Sequence, residues 1–365
     1  MEKVDIAIIG AGVLGLAAAA RLSAEDRTVV VLDAAERYGT ATSSRNSEVV
    51  HAGIYYPPGS LKSRLCHEGR KRLYDLAAQG SVWVKKTGKF IVAVNGEEVK
   101  RLESIKTSAQ TAGAEGLRLV DGAYVRSKIP QLKVEAALWS PETGIVDSED
   151  LMGYYHRRAE DRGAIFLFEN AVTAASRKAG GYVLAFGKDR EELHARFVVN
   201  AAGLYSDKIA EMAGIDIDAA GYRIHWCKGH YFRYKKNIAM PHLVYPVPVT
   251  HGLGIHLTPD RQGRVRLGPD TKFVDKIDYD VPADLAETFA ESVRRYWPDI
   301  KARDLDPDTA GIRPKLSAPD EGPKDFVVRE EADKDLPGWI NLIGVESPGL
   351  TASAAVADEV AAMVE

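Results

Sequence analysis

Cysteine is scarce in this chain of 365 residues: Cys66 and Cys227 are the only two, and no C-x-x-C spacing joins them. That excludes a disulfide framework and a cysteine-built metal site, and reads as two buried thiols of a reduced, cytoplasmic protein. Runs of one charge are missing too. The 48 Lys and Arg residues against 52 Asp and Glu leave a net charge of −4, which speaks against an electrostatic nucleic-acid binder. No segment approaches the roughly 20 apolar residues of a membrane span. The nearest imitation of a signal peptide is "IAIIGAGVLGLAAAA" at 6–20, yet the preceding "MEKVD" is net acidic and glycines interrupt the run. Internal repeats and low-complexity linkers are also missing. No metal site is expected.

What is present is strongly patterned. "VDIAII" is a buried β-strand, "GAGVLG" a glycine turn, "LAAAARLSAE" a close-packing helix and "TVVVLD" a second buried strand, so 4–33 form one β-α-β unit. Residues 61–79 have helical spacing with a basic face (Lys62, Arg64, Arg70, Lys71, Arg72), read as solvated or, alternatively, as a membrane-surface contact. A strand at 89–94 precedes an exposed helix ended by Gly113. Residues 137–163 pass from strand through turn to a helix capped by Asp147 or Ser148. "AIFLFE" and "YVLAFG" read as strands flanking a turn, and "RFVVNAAG" as a strand entering a tight turn. Alternation over 222–273 predicts antiparallel sheet, 282–298 an amphipathic helix, and the segment from Trp339 a strand, a glycine turn and a small-residue helix. An α/β domain assembled from separated pieces, with a mainly antiparallel domain inserted, follows.

Gly10, Gly12 and Gly15 stand as G-x-G-x-x-G between strand and helix, and Asp33 closes the next strand. Gly10 permits the turn, Gly12 lets backbone approach a pyrophosphate, and Gly15 lets the helix lie against the sheet. The helix N-terminus faces the phosphates, and Asp33 accepts from a ribose while repelling a 2′-phosphate. There is no second such motif for an exchangeable nicotinamide, which points to one tightly held dinucleotide, FAD.

Beyond that fingerprint, "NSEVVHAGIYYPPGSLKSRLCHEG", "SPETGIVDSEDL", "VVNAAGLYSDKIA", "KGHYF", "LVYPVP", "LGIHLTPDRQGRVRLGP", "AGIRPKL" and "GVESPGLTASAAVADEV" carry a resemblance over nearly the whole chain. The sequence resembles the FAD-dependent oxidoreductases of the D-amino-acid oxidase and glycerol-3-phosphate dehydrogenase class. Within it, the chain is most similar to L-2-hydroxyglutarate dehydrogenases and oxidases. The resemblance implies a Rossmann-like FAD-binding domain of glutathione-reductase type over 1–80, 145–220 and 310–365. It implies a mainly antiparallel substrate or cap domain over 81–144 and 221–309. It departs from the usual family wording at Asp33, at Lys228 and in "GVESPGLTAS", which bears on the substrate more than on the chemistry.

The same resemblance implies roles at matching positions. Gly10, Gly12, Val13, Leu14, Gly15, Asp33 and Ala34 hold the ADP half of FAD. Thr42, Ser43, Ser44, Arg45, Asn46 and Ser47 wrap the pyrophosphate and the flavin edge. Val172 lies by the adenine, Ala201, Ala202 and Gly203 form a turn against the cofactor, and Gly344, Ser347, Gly349, Leu350 and Thr351 surround the N-terminus of the last helix. Oxidising a 2-hydroxy acid needs a hydride acceptor, flavin N5, and a base for the hydroxyl proton; His51 and His256 are both candidates. Covalent attachment of flavin at His51 is a further alternative. Arg313, also placed against the cofactor, matches a carboxylate clamp. A second carboxylate needs another anchor among Tyr55, Lys228, His230 and Tyr245. Each has a plain structural reading beside it: a satisfied core histidine, an arginine paired with an acid, or tyrosines, Tyr56 included, that only pack.

The expected activity is FAD-dependent oxidation of L-2-hydroxyglutarate to 2-oxoglutarate, with oxygen, a quinone or a carrier protein taking the electrons. The alternatives are an amine, amino-acid or glycerol-3-phosphate oxidase of the same fold, and a flavin-binding protein without turnover. The protein is expected in the cytoplasm, with peripheral contact at the inner membrane face as a variant of that reading.

Overall fold

The computed structural model describes residues 2–248 and 254–365. Its first sheet grows from the β-α-β unit. The strand Glu2–Ile9 turns at Gly10 into the helix Val13–Leu22 and returns as Val29–Leu32, parallel to the first and buried throughout. On its other side Glu2–Ile9 pairs in parallel with Glu191–Asn200, which pairs in parallel with Leu336–Ile343. Ile9, Leu32, Asn200 and Ile343 therefore end along one edge. In open α/β sheets that carboxyl edge is where ligands are received.

The helices reach the sheet because their side chains are small. Ala17, Ala18, Ala19 and Ala20 of Val13–Leu22 and Ala352, Ala355, Ala357 and Ala361 of Gly349–Val364 share one buried cluster. The helix Leu61–Ala78 meets the last helix at Gly69, where a Cβ would overlap the Thr351 carbonyl and lie 2.8 Å from Ala352 Cα. The expectation of a solvated basic face on Leu61–Ala78 holds for Arg64, Lys71 and Arg72, which are exposed, and is corrected for the other two. Lys62 and Arg70 are buried, Arg70 bonding Glu142 at 2.6 Å and Glu115 at 2.8 Å. Arg64 pairs with Glu359 at 2.7 Å and Arg72 with Asp358 at 2.8 Å, both on the last helix. The basic face is mostly an ion-paired seam.

A second sheet of nine described strands is mainly antiparallel, with one parallel pair, Lys89–Ala93 with Leu243–Pro246. Phe90, Phe232, Phe289 and Trp297 fill its core. Its long pair is His225–Tyr234 with Leu305–Lys315. The latter strand was not expected, because Pro307, Pro314 and the run "DPD" read as turn signals. Among the described residues it is an edge strand, pairing only with His225–Tyr234, and an edge tolerates the missing N–H groups.

The hairpin expected between "AIFLFE" and "YVLAFG" also differs. Ile165–Leu167 pairs in parallel with Val30–Leu32, and the partner of Gly181–Phe186 is Val172–Lys178, whose polar "TAASRK" hid its strand character. A small three-stranded sheet, Val49–Val50, Val84–Lys85 and Gly144–Val146, lies where the chain passes between the two larger ones.

Candidate active site

A cavity of about 1780 Å³ runs from the glycine turn, past the segment 42–48, to a wall carrying His51, Tyr55, Tyr245 and His256. At its first end Asp33 orders the turn: Oδ2 accepts the Ala11 N–H at 2.6 Å and Oδ1 the Ala35 N–H at 2.8 Å. A carboxylate has about four acceptor sites, so capacity for a ribose is left. Ser43 Oγ accepts the Val13 N–H at 3.0 Å, capping the helix from a distant segment. A Cβ on Gly12 would stand 3.1 Å from that oxygen, and one on Gly15 would overlap the Gly10 carbonyl. Backbone close to the cavity and helix close to the sheet are the two features a bound pyrophosphate requires.

The segment 42–48 is folded by its own polar side chains. Asn46 Nδ2 donates to Ser43 O at 2.7 Å while its Oδ1 accepts the Glu48 N–H at 2.8 Å. Thr42 Oγ1 donates to Ile312 O at 2.9 Å, and Ser47 Oγ meets Tyr231 Oη at 3.0 Å. Arg45 stacks its guanidinium 4.0 Å over the Tyr279 ring. Its buried Nε has no hydrogen-bond partner among the described residues.

Beyond this segment the chain reaches His51. Its N–H donates to Thr351 Oγ1 at 3.1 Å, and that hydroxyl donates to Val49 O at 3.0 Å. The His51 carbonyl accepts from the Cys66 thiol at 3.3 Å, and Nε2 meets Ser347 Oγ at 3.1 Å. Backbone and ring are thus both fixed. Burial pushes the imidazole down to about 3, and the Lys89 ammonium pushes the same way, so the ring is neutral at working pH. Tyr56 stands edge-on to it at 6.4 Å. His256 stacks flat on Tyr245, 3.4 Å between centroids. The Tyr55 hydroxyl, on the same wall, has no partner among the described residues.

Arg313 lines the cavity from the strand Leu305–Lys315, with Nη2 donating to Asp270 O at 2.6 Å. Nearby, Glu346 sits between Lys315 at 2.9 Å and Lys62 at 3.3 Å. Burial pushes the Glu346 carboxyl up, but the two ammonium groups outweigh it and hold it below the usual range.

The cavity thus brings together His51, His256, Arg313, Tyr55, Tyr245 and most of the anticipated cofactor positions, from Gly10, Gly12, Val13, Leu14, Asp33 and Ala34 through Val172, Ala201, Ala202 and Gly203 to Ser347, Gly349 and Leu350. Gly15, Ser44, Gly344 and Thr351 do not line it. Ser44 donates to Ala41 O, a Cβ on Gly344 would meet Leu316, and Thr351 is fully buried under His51. Lys228 and His230 are not brought to the cavity. Both are buried, Lys228 on Asp278 and His230 Nδ1 2.9 Å from Asp270, a lining residue that holds the imidazole behind the cavity surface. Sequence reasoning missed Tyr231, Glu346 and Lys89. Their neighbours come from remote segments, and no local spacing flags them.

Comparison with known proteins decides the family. The family model for DAO, the FAD-dependent oxidoreductases, matches residues 5–363. The chain belongs to this family. Among curated relatives the oxidoreductase is similar to the mitochondrial L-2-hydroxyglutarate dehydrogenase of Arabidopsis thaliana, 39% identical over 99% of this chain and 83% of the relative. The Caenorhabditis elegans protein of the same name is 30% identical over 98% of this chain and 92% of its own length. Among solved structures, L-alpha-glycerophosphate oxidase from Mycoplasma pneumoniae with FAD bound shares the fold. Its TM-score is 0.88 at 23% identity, covering 100% of this chain and 95% of that one. The oxidoreductase is therefore an FAD enzyme. Its glycine turn, the Ser43-capped helix and the N-terminus of Gly349–Val364 lie along one cavity.

Proposed function

We propose that this oxidoreductase converts L-2-hydroxyglutarate to 2-oxoglutarate. The observation that carries the reading is a neutral, doubly anchored His51 lining the same cavity as the Arg313 guanidinium. FAD, when bound, supplies the acceptor for an electron pair. The chain's own groups do the rest. Arg313 takes the carboxylate next to the reacting carbon through its N–H groups not used on Asp270. Tyr55, whose hydroxyl has no partner among the described residues, donates to the distal carboxylate. His51 would accept the proton as the substrate O–H bond breaks and the C=O bond forms, and bound FAD would supply the acceptor for the hydrogen and electron pair that leave Cα. A base works best with a pKa near working pH, and His51 begins well below it. A dianionic substrate beside the ring raises it, so binding itself prepares the base.

Ser347 orients the imidazole, and the wall of Tyr55, Tyr245 and His256 excludes water from the reacting carbon. Oxygen, a quinone or a carrier protein returns the enzyme to its oxidised state. The deciding experiment is the absorbance spectrum of the purified protein before and after anaerobic addition of L-2-hydroxyglutarate. Bleaching of the flavin is expected. Bleaching by glycine, D-alanine or glycerol 3-phosphate but not by hydroxyglutarate refutes the reading.

A further inference from the structure

Three lysines are buried among the described residues, and two of them, Lys62 and Lys228, rest on the acids Glu346 and Asp278. The third does not. Lys89, at the start of the strand Lys89–Ala93, is 1% exposed and forms no ion pair with a described carboxylate. Its Nζ lies 4.3 Å from the centroid of Tyr245 and 5.3 Å from that of Tyr55. The parallel His256 ring, 3.4 Å away, fills one face of Tyr245, so the ammonium takes the other. Tyr55, Tyr245 and His256 all line the cavity, while Lys89 stands behind them. A charge so enclosed is costly unless something answers it, and aromatic faces answer it only in part. An anion in the cavity would complete the compensation through one layer of ring.

Resting on the activity proposed above, we infer that Lys89 is a positioning residue for the oxidation. Its ammonium holds Tyr245 and the stacked His256 in place and supplies the positive potential that draws the substrate's carboxylates to this end of the cavity. Burial pushes Lys89 down to about 7, so its charge appears as pH falls through neutrality. Other titratable groups face it from every side. Tyr55 and Tyr245 are pushed up by burial, Cys66 is pushed up to about 12 and His51 down to about 3. None of these changes charge near neutrality. The remaining group is the His256 imidazole across Tyr245, and a variant separates it from Lys89.

The test is anaerobic stopped-flow reduction of the holoenzyme by L-2-hydroxyglutarate from about pH 6 to about pH 8.5, for the wild type and Lys89→Met. In the wild type the half-saturating concentration should fall about threefold to tenfold as pH drops across that range. In Lys89→Met this dependence should vanish, leaving the alkaline value at every pH, with a smaller change in the limiting rate. A dependence that survives in Lys89→Met belongs to His256 and overturns the inference. If the variant does not hold flavin, wild-type holoenzyme labelled at lysine Cε decides by NMR. One lysine signal should titrate near neutrality and move to higher pH on adding 2-oxoglutarate; no such movement overturns the inference. Failure of every 2-hydroxy acid to reduce the wild type refutes the activity itself. Normal reduction with unaltered pH dependence in the variant refutes only the role of Lys89.

Discussion

Replacing His51 by Asn separates catalysis from cofactor binding. An asparagine keeps the backbone bonds to Thr351 and Cys66, gives up the Nε2 contact with Ser347 Oγ because its amide ends level with Nδ1, and takes no proton. The loss in binding is bounded by one hydrogen bond, about 0.5–1.5 kcal/mol, so FAD affinity should fall by at most about tenfold. The loss in chemistry is larger. With its pKa at about 3, His51 is in the accepting form throughout the neutral range, so the variant removes a fully populated base. General bases contribute about 10²- to 10⁴-fold, or about 2.7–5.5 kcal/mol. Flavin reduction under anaerobic stopped flow should therefore slow by that factor, while an equilibrium FAD titration by fluorescence changes little. Equal losses in both assays would return His51 to the scaffold, and an unchanged reduction rate would pass the base role to His256.

Lys89→Met should make the protein more heat-stable at neutral pH. The folded pKa of about 7 lies below the ordinary 10.5, so the penalty is full below pH 7 and lifts as pH rises toward 10.5. Each tenfold loss of proton affinity on folding costs about 1.4 kcal/mol, and calorimetry at about pH 6.5 should show Tm raised by several degrees, whereas a lowered Tm would mean that the aromatic contacts outweigh desolvation. Gly69→Ala forces the last helix away from Leu61–Ala78 where a Cβ overlaps the Thr351 carbonyl. A cost of about 1–3 kcal/mol and reduced flavin content on purification are expected, and normal flavin content would show that the contact yields easily. Arg313→Lys loses the two-pronged fork and should lower kcat/KM by about tenfold or more, chiefly through KM. A variant indistinguishable from wild type would place the carboxylate elsewhere.

The parts legible in the sequence were those whose reason is local. Three glycines between two β-branched runs and an acid at the next strand's end specify the β-α-β unit without reference to anything distant. His51 and Arg313 were visible through motif wording, because each sits in a stretch with a specific shape. The misread parts depend on partners far along the chain. Lys228 and His230 read as free polar groups because the acids that hold them, Asp278 and Asp270, lie 50 and 40 residues away. Lys89 reads as no more than the first residue of an ordinary strand. Tyr55 and Tyr245, brought in from two other segments, cover its ammonium. The strand Leu305–Lys315 was hidden by prolines whose missing N–H groups matter only away from a sheet edge.

The contact at Gly69 has a consequence for how the enzyme is made. The last helix, Gly349–Val364, packs against Val13–Leu22 and Leu61–Ala78 and supplies cavity residues of its own. On a ribosome adding roughly 5–20 residues per second, the glycine turn emerges many seconds before those residues exist. Through that interval the N-terminal unit has no mate for its alanine face, and the cofactor has only one side of its berth. Loading of FAD is thereby deferred until the far end of the chain has folded back onto the near one. A cell short of flavin should accumulate a finished but loosely closed chain rather than a stalled fragment.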